Sequence, residues 1–154
     1  MRANRKTLLQ LIAVMLSFSI VFSSGLAATA NEIAPRASDY LEAYSTYGYA
    51  AGLGKVQIWF TVTGVNYMDE IGTLRIQLYE STDGENWTWL KTYQYTSYPE
   101  MLGYDKIYHS GHVQYSGTIG RYYKAYVCIW AGKNGDGDTR YMWTQPIRAT
   151  LFAG

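Results

Sequence analysis

Tyr123, Ala125, Val127, Ile129 and Ala131 alternate with Lys124, Tyr126, Cys128 and Trp130. A side-chain period of two belongs to a strand with one face buried and is incompatible with a helical stripe. The same period recurs over residues 55–62, where Val56, Ile58, Phe60 and Val62 alternate with Lys55, Gln57, Trp59 and Thr61. It recurs again over 74–79, with Leu74, Ile76 and Leu78 on one side and Arg75, Gln77 and Tyr79 on the other. A lysine is almost never fully buried unless paired, so Lys124 fixes the parity: Ala125, Val127 and Ile129 face inward. Phe60, Ile76 and Val127 are expected in one core layer.

Turn chemistry separates these runs. Asp83-Gly84 and Asn134-Gly135-Asp136-Gly137-Asp138 supply residues that take positive φ at little cost. Further strands are expected over 40–49 (polar and edge-like), 87–95, 106–115 and 140–151. Seven short strands with antiparallel turns and no helical stripe predict an all-β fold, a single antiparallel sandwich.

Arg2, Arg5 and Lys6 precede a mostly apolar run over 8–22, and Ala28-Thr29-Ala30 supplies a small-x-small cleavage pattern. Residues 1–30 therefore read as a secretory signal peptide cut before Asn31, 31–38 as a flexible leader and 39–152 as the domain. Secretion, with no membrane attachment after cleavage, is the expectation. Cleavage removes three cations and no acids, leaving ten Lys+Arg against twelve Asp+Glu, a net charge of −2. So balanced a charge removes the usual electrostatic case for a nucleic-acid partner. Aromatic residues make up 16% of the 154-residue chain and charged residues another 16%, which excludes disordered, collagen-like and coiled-coil classes. The single Cys excludes a disulfide scaffold and a four-thiolate zinc site.

The run Leu74-Arg75-Ile76-Gln77-Leu78-Tyr79-Glu80-Ser81-Thr82-Asp83-Gly84-Glu85-Asn86-Trp87 resembles the third and fourth strands of fibronectin type III and related immunoglobulin-like domains, where a strand ends in Ser-x-Asp-Gly-x-x-Trp. Tyr123-Lys124-Ala125-Tyr126-Val127-Cys128-Ile129-Trp130-Ala131, followed by Asn134 and Gly135, resembles their sixth strand. This likeness implies that the two strands are neighbours in one sheet. Over nearly the whole chain after residue 30, Pro35-Arg36-Ala37-Ser38-Asp39-Tyr40, Gly54-Lys55-Val56-Gln57-Ile58-Trp59-Phe60, Met68-Asp69-Glu70-Ile71-Gly72, Met101-Leu102-Gly103-Tyr104 and Ala131-Gly132-Lys133-Asn134-Gly135 resemble a family of small secreted Gram-positive bacterial proteins catalogued as a domain of unknown function. That resemblance implies secretion and one compact domain, and carries no catalytic residues.

Candidate chemistry is thin. His109 and His112 are three apart, which on a strand places them on opposite faces and defeats a shared metal. Asn134, Asp136 and Asp138 begin with calcium-loop spacing. Thr139 and Gln145 then stand where that loop needs Gly and a bidentate Glu, so a hairpin turn is expected. Asp69-Glu70 and the group Glu80, Asp83 and Glu85 are carboxylates beside turns, not a pair facing across a sugar-sized cleft. Cys128 has no chain partner and reads as an inert, buried thiol. No metal and no cofactor are expected.

The aromatic surplus is what packing explains least. Parity turns Tyr79, Tyr126 and Trp130, flanked by Arg75 and Lys124, outward, and the strand adjacency that the fibronectin-like resemblance implies brings them onto one face. Flat rings beside hydrogen-bonding groups suit sugar rings or a protein partner. The reading that follows is a secreted, non-catalytic binding module for a cell-surface glycan or protein. A small secreted cell-wall hydrolase and a bacteriocin-like toxin are the alternatives.

Overall fold

The computed structural model describes residues 38–154. The signal peptide read over 1–30 and all of the leader but Ser38 lie outside the described residues. The described chain is all-β, with seven antiparallel strands: β1 Leu41–Gly52, β2 Lys55–Ser81, β3 Thr88–Gln94, β4 Leu102–Ser116, β5 Tyr122–Lys133, β6 Asp136–Trp143 and β7 Ile147–Arg148. One 3₁₀ turn, Pro99–Met101, leads into β4. Among the described residues no helix is long and apolar enough to cross a membrane.

The runs over 55–62 and 74–79 are not separate strands. They are the two ends of β2, which is 27 residues long and acts as a spine. Along one edge it pairs with β1 (Lys55 to Gly64) and then with β5 (Glu70 to Ser81). Along the other it pairs with β4 (Lys55 to Gly72) and then with β3 (Arg75 to Glu80). β6 extends the sheet beyond β5. The register against β4 slips between Thr63 and Met68, and Gly72 sits at φ 145°. A Cβ on Gly72 would lie 2.2 Å from the Met101 carbonyl oxygen, so only glycine lets β4 approach there. Bulges bend and twist a strand without ending it. The sheet therefore curls into a half-barrel, and the inner faces of both halves of β2 line one core.

That core contains Val56, Ile58, Phe60 and Val62 from one half and Ile76, Leu78, Tyr123, Ala125, Val127 and Ile129 from the other. Phe60, Ile76 and Val127 are all fully buried, as the alternation requires. Leu74 departs from it. The register against β5 slips between Thr73 and Arg75, so Thr73 takes the inward position and Leu74 is only half-buried. The Thr73 hydroxyl is buried without a hydrogen-bond partner. Tyr93 and Tyr123 are buried with their hydroxyls satisfied: Tyr93 donates to the Gln114 carbonyl (3.0 Å), and Tyr123 accepts from the Thr118 amide (2.8 Å). Burial pushes the Tyr93 phenol up to about 12.

The segment expected as one last strand over 140–151 is broken. β6 ends at Trp143, and Pro146, which has no N–H to give a ladder, precedes the short β7. β7 packs against β1, where a Cβ on Gly48 would lie 2.9 Å from Ile147. The C-terminal residues then cover the β1–β2 turn, through Leu53 N to Leu151 O (2.7 Å), Gly54 N to Thr150 O (2.9 Å) and an Ala51–Ala153 bridge.

Candidate functional site

The outer face of the β3–β2–β5–β6 portion carries the aromatic cluster. β2 and β5 are direct neighbours, with Tyr79 opposite Lys124, Gln77 opposite Tyr126 and Arg75 opposite Cys128. The β5–β6 hairpin turns on Asn134-Gly135, both at positive φ (56° and 82°), between the pair Lys133–Asp136. This two-residue turn, with positive φ at both central residues, has the twist that hairpins prefer. It sets Trp143 opposite Tyr126 and Tyr141 opposite Cys128.

Trp143 is the centre of the cluster. Its ring lies 5.2 Å from that of Tyr79 and 4.8 Å from that of Tyr126. Tyr126 in turn stacks on Tyr141 at 5.5 Å and 15°. The Lys124 ammonium sits between two indoles, 4.3 Å from the Trp87 ring and 4.7 Å from the Trp143 ring. At these distances the ring quadrupoles hold the cation without neutralising it. Trp89, opposite Tyr79 on β3, extends the face. Trp89, Tyr141 and Trp143 are 56%, 52% and 48% exposed, so the platform is open to solvent.

The β2–β3 loop places Trp87. The Asp83 carboxylate accepts hydrogen bonds from the Ser81 hydroxyl (2.7 Å), the Glu85 amide (2.9 Å), and the Asn86 amide (2.8 Å) and side chain (2.7 Å). These donors, those of Asn86 foremost, hold the Asp83 carboxyl far below the usual range. On β3, a bulge between the pairs Leu78–Lys91 and Tyr79–Trp89 turns Trp89 to the side of Thr92, whose hydroxyl accepts from its indole at 3.2 Å.

Of the five residues singled out from sequence, Tyr79, Tyr126 and Lys124 meet around Trp143, and Arg75 lies two rows along. Trp130 is apart. It stands four residues from Tyr126 on β5, ~13 Å along the strand. Its ring lies against Gly132 and Gly137, where a Cβ would approach to 2.5 Å, and its indole donates to Glu70 at 3.3 Å. Trp130 lines a separate shallow pocket of ≈ 320 Å³ with Asp69, Glu70, Lys133 and Asp136. Asp69 accepts from the Asn134 amide (2.6 Å) and so braces the hairpin.

Trp87, Trp89, Tyr141 and Trp143 were not singled out from the sequence. For Trp143 and Tyr141 the signal is present: counting outward from the Asn134-Gly135 turn pairs them with Tyr126 and Cys128. A second ring ladder crosses the outer face of the other half, with Tyr47 stacked 6.2 Å from Trp59 and Trp59 4.3 Å from His112. His109 faces the other way, onto Phe60, as its spacing from His112 requires. Cys128 is buried beside Tyr141, and burial pushes its thiol up. Among the described residues no group of three or more His, Cys, Asp or Glu is arranged to hold a metal ion.

No family model matches the chain, and no curated protein matches it. Among solved structures, the chain is similar to the Spo0M sporulation control protein of Bacillus subtilis, at 10% identity and a TM-score of 0.39, over 71% of this chain and 50% of that one. It is also similar to a family 76 glycoside hydrolase from a bovine Bacteroides thetaiotaomicron strain, at 15% identity and a TM-score of 0.29, over 69% of this chain and 20% of that one. The chain thus spans half the length of the first and a fifth of the second.

Proposed function

We propose that this chain is a secreted, non-catalytic binding module that docks a glycan on the outer face of β3–β2–β5–β6. The observation that carries this reading is the open aromatic platform around Trp143. Its rings are flat and solvent-facing, and Gln77, Thr92 and Gln94 beside them offer hydrogen-bonding groups. Rings already fixed by cross-strand packing lose little freedom on binding. Secretion rests on the sequence pattern of residues 1–30 and on the resemblance to the small secreted Gram-positive family. In the same reading the curled sheet is a fibronectin-like sandwich, each half of β2 serving as one strand of a layer. Binding of the full chain to a glycan array and to wall extract is the test. Trp143→Ala should weaken binding by about 2 kcal/mol or more, the scale of a central hot spot. Trp130→Ala should cost less than half of that. A cell-surface protein captured in place of any glycan would overturn the glycan assignment.

A second reading, a small wall-polymer hydrolase, draws on the Trp130 pocket, where Asp69, Glu70 and Asp136 gather. Release of soluble sugar from wall extract by the full chain, lost in Glu70→Gln, would favour it over the binding module.

A further inference from the structure

We propose that the ligand of the aromatic face is an acidic polysaccharide whose ring-borne carboxylates meet Lys124 and Arg75. This rests on the reading of that face as a binding surface, and goes further by assigning the ligand's charge.

Around Trp143 the outward positions are Arg75, Gln77 and Tyr79 on β2, Trp89, Thr92 and Gln94 on β3, Lys124, Tyr126 and Cys128 on β5, and Tyr141 and Trp143 on β6. Two of these are cations and none is an acid; beyond Arg75 the same face continues to Trp130 and Glu70, whose carboxylate accepts from the Trp130 indole. The rest of the described chain leans the other way: residues 38–154 hold nine Lys+Arg against eleven Asp+Glu. The positive face is therefore a local arrangement on a net-negative protein. The two salt bridges among the described residues, Arg121–Glu80 and Arg140–Asp138, leave both Lys124 and Arg75 free of carboxylate partners. Lys124 is fixed in place by Trp87 and Trp143 with its charge intact, so a group stacked on Trp143 lies beside an ammonium.

The geometry selects among anionic polymers. Arg75 is four residues along β2 from Tyr79, the partner of Lys124, so the cations are ~13 Å apart along the strands with aromatic rings between them. A ligand meeting both must carry its charges on, or beside, units that stack. A polyol phosphate has no ring to stack on Trp143 and Tyr126. A single-stranded nucleic acid does stack, but it carries a charge on every unit and is held by a positive groove that tracks its backbone. Two separated cations on a net-negative chain do not make such a groove. A polymer of acidic sugars meets both requirements.

The test is calorimetric titration of the full chain with polygalacturonate and hyaluronate, each beside its methyl-esterified form, and with a glycerol-phosphate polymer and poly(dT). The expected result is binding to at least one acidic polysaccharide that is tenfold or more weaker for its ester and weakens as NaCl is raised. Lys124→Gln should reduce affinity for the acid form at least threefold more than for the ester. Lys55→Gln, which removes a cation from the other half of the sheet, should change neither. Arg75→Gln should act like Lys124→Gln. Because Arg75 also lies beside Cys128 and Tyr141, the outcome is read on Lys124→Gln if Arg75→Gln proves unfolded by circular dichroism. Equal binding of acid and ester, both lost in Trp143→Ala, overturns the charge assignment and leaves the binding face standing. Tighter binding of the phosphate polymer or poly(dT) overturns it as well. If no polymer binds, the charge assignment falls, and the binding reading falls with it only if the glycan array and wall extract are negative too.

Discussion

Four hydrogen bonds converge on Asp83, and they make one carboxylate responsible for the shape of the loop that delivers Trp87. Donors to an ionised carboxylate stabilise its charged form, so the folded-state pKa lies below the ordinary 3.8. The linkage has one sign. Stability from this group is present above the unfolded-state value and is lost as pH falls through the folded-state one. The Asp83→Asn variant should therefore be less stable than the parent at pH 7. The gap should narrow once pH drops below 3.8, as read from urea melts at a series of pH values. A gap that stays constant down to pH 2 would mean the charge of Asp83 does not matter and only its hydrogen-bonding shape does. The site residues that were legible in the sequence were legible through parity, joined to the strand adjacency implied by the fibronectin-like resemblance. Lys124 fixes which side of β5 is wet, and Tyr79 and Tyr126 follow. Parity says which face a ring is on but not how far along it, and this is why Trp130 belongs to a different pocket from the one its parity implied.

At the level of elements, two glycines separate steric need from backbone need. Gly135 lies at φ 82° in the β5–β6 turn, and nothing is within 4 Å of where its Cβ would be. Gly135→Ala should cost about 1 kcal/mol, the left-handed backbone penalty alone. Gly72 combines φ 145° with a Cβ position 2.2 Å from the Met101 carbonyl. Gly72→Ala should cost about 3 kcal/mol or more, because β4 must move away from the spine. Denaturant melts of the two variants check the ordering, and equal losses would mean the sheet gives way easily at Gly72. These glycines also show where legibility ended. Gly64, Asn66, Asp69 and Gly72 are turn-forming types, and they fall between the alternating runs over 55–62 and 74–79. Such residues signal that the backbone departs from ideal pleating, but not whether the chain reverses. Here it bends and continues. Asn134-Gly135 does reverse the chain, and its tight geometry carries the whole β5–β6 register with it. That register, counted out, was sufficient to find Trp143.

The whole described domain shares one core. Val56 and Val127 sit at opposite ends of the curl, on β2 and β5, and both are fully buried in the same cluster. Val56→Ala and Val127→Ala should each cost about 1–3 kcal/mol through lost apolar contact and a residual cavity. Each should shift one common transition when followed by both tryptophan fluorescence and far-ultraviolet circular dichroism. Two separable transitions would mean that the halves of the curl melt independently. The long β2 has one more consequence, in the order of events during synthesis. The spine leaves the ribosome early with only β1 to pair with. Its other edge, and the far half of its first edge, stay open until β3, β4 and finally β5 have been made. Strand edges left open are templates for wrong pairing, and contacts between segments so distant in the chain form slowly, on the scale of milliseconds to seconds. The residues that hold the finished sheet together thus stay unpaired until β4 and β5 have been made.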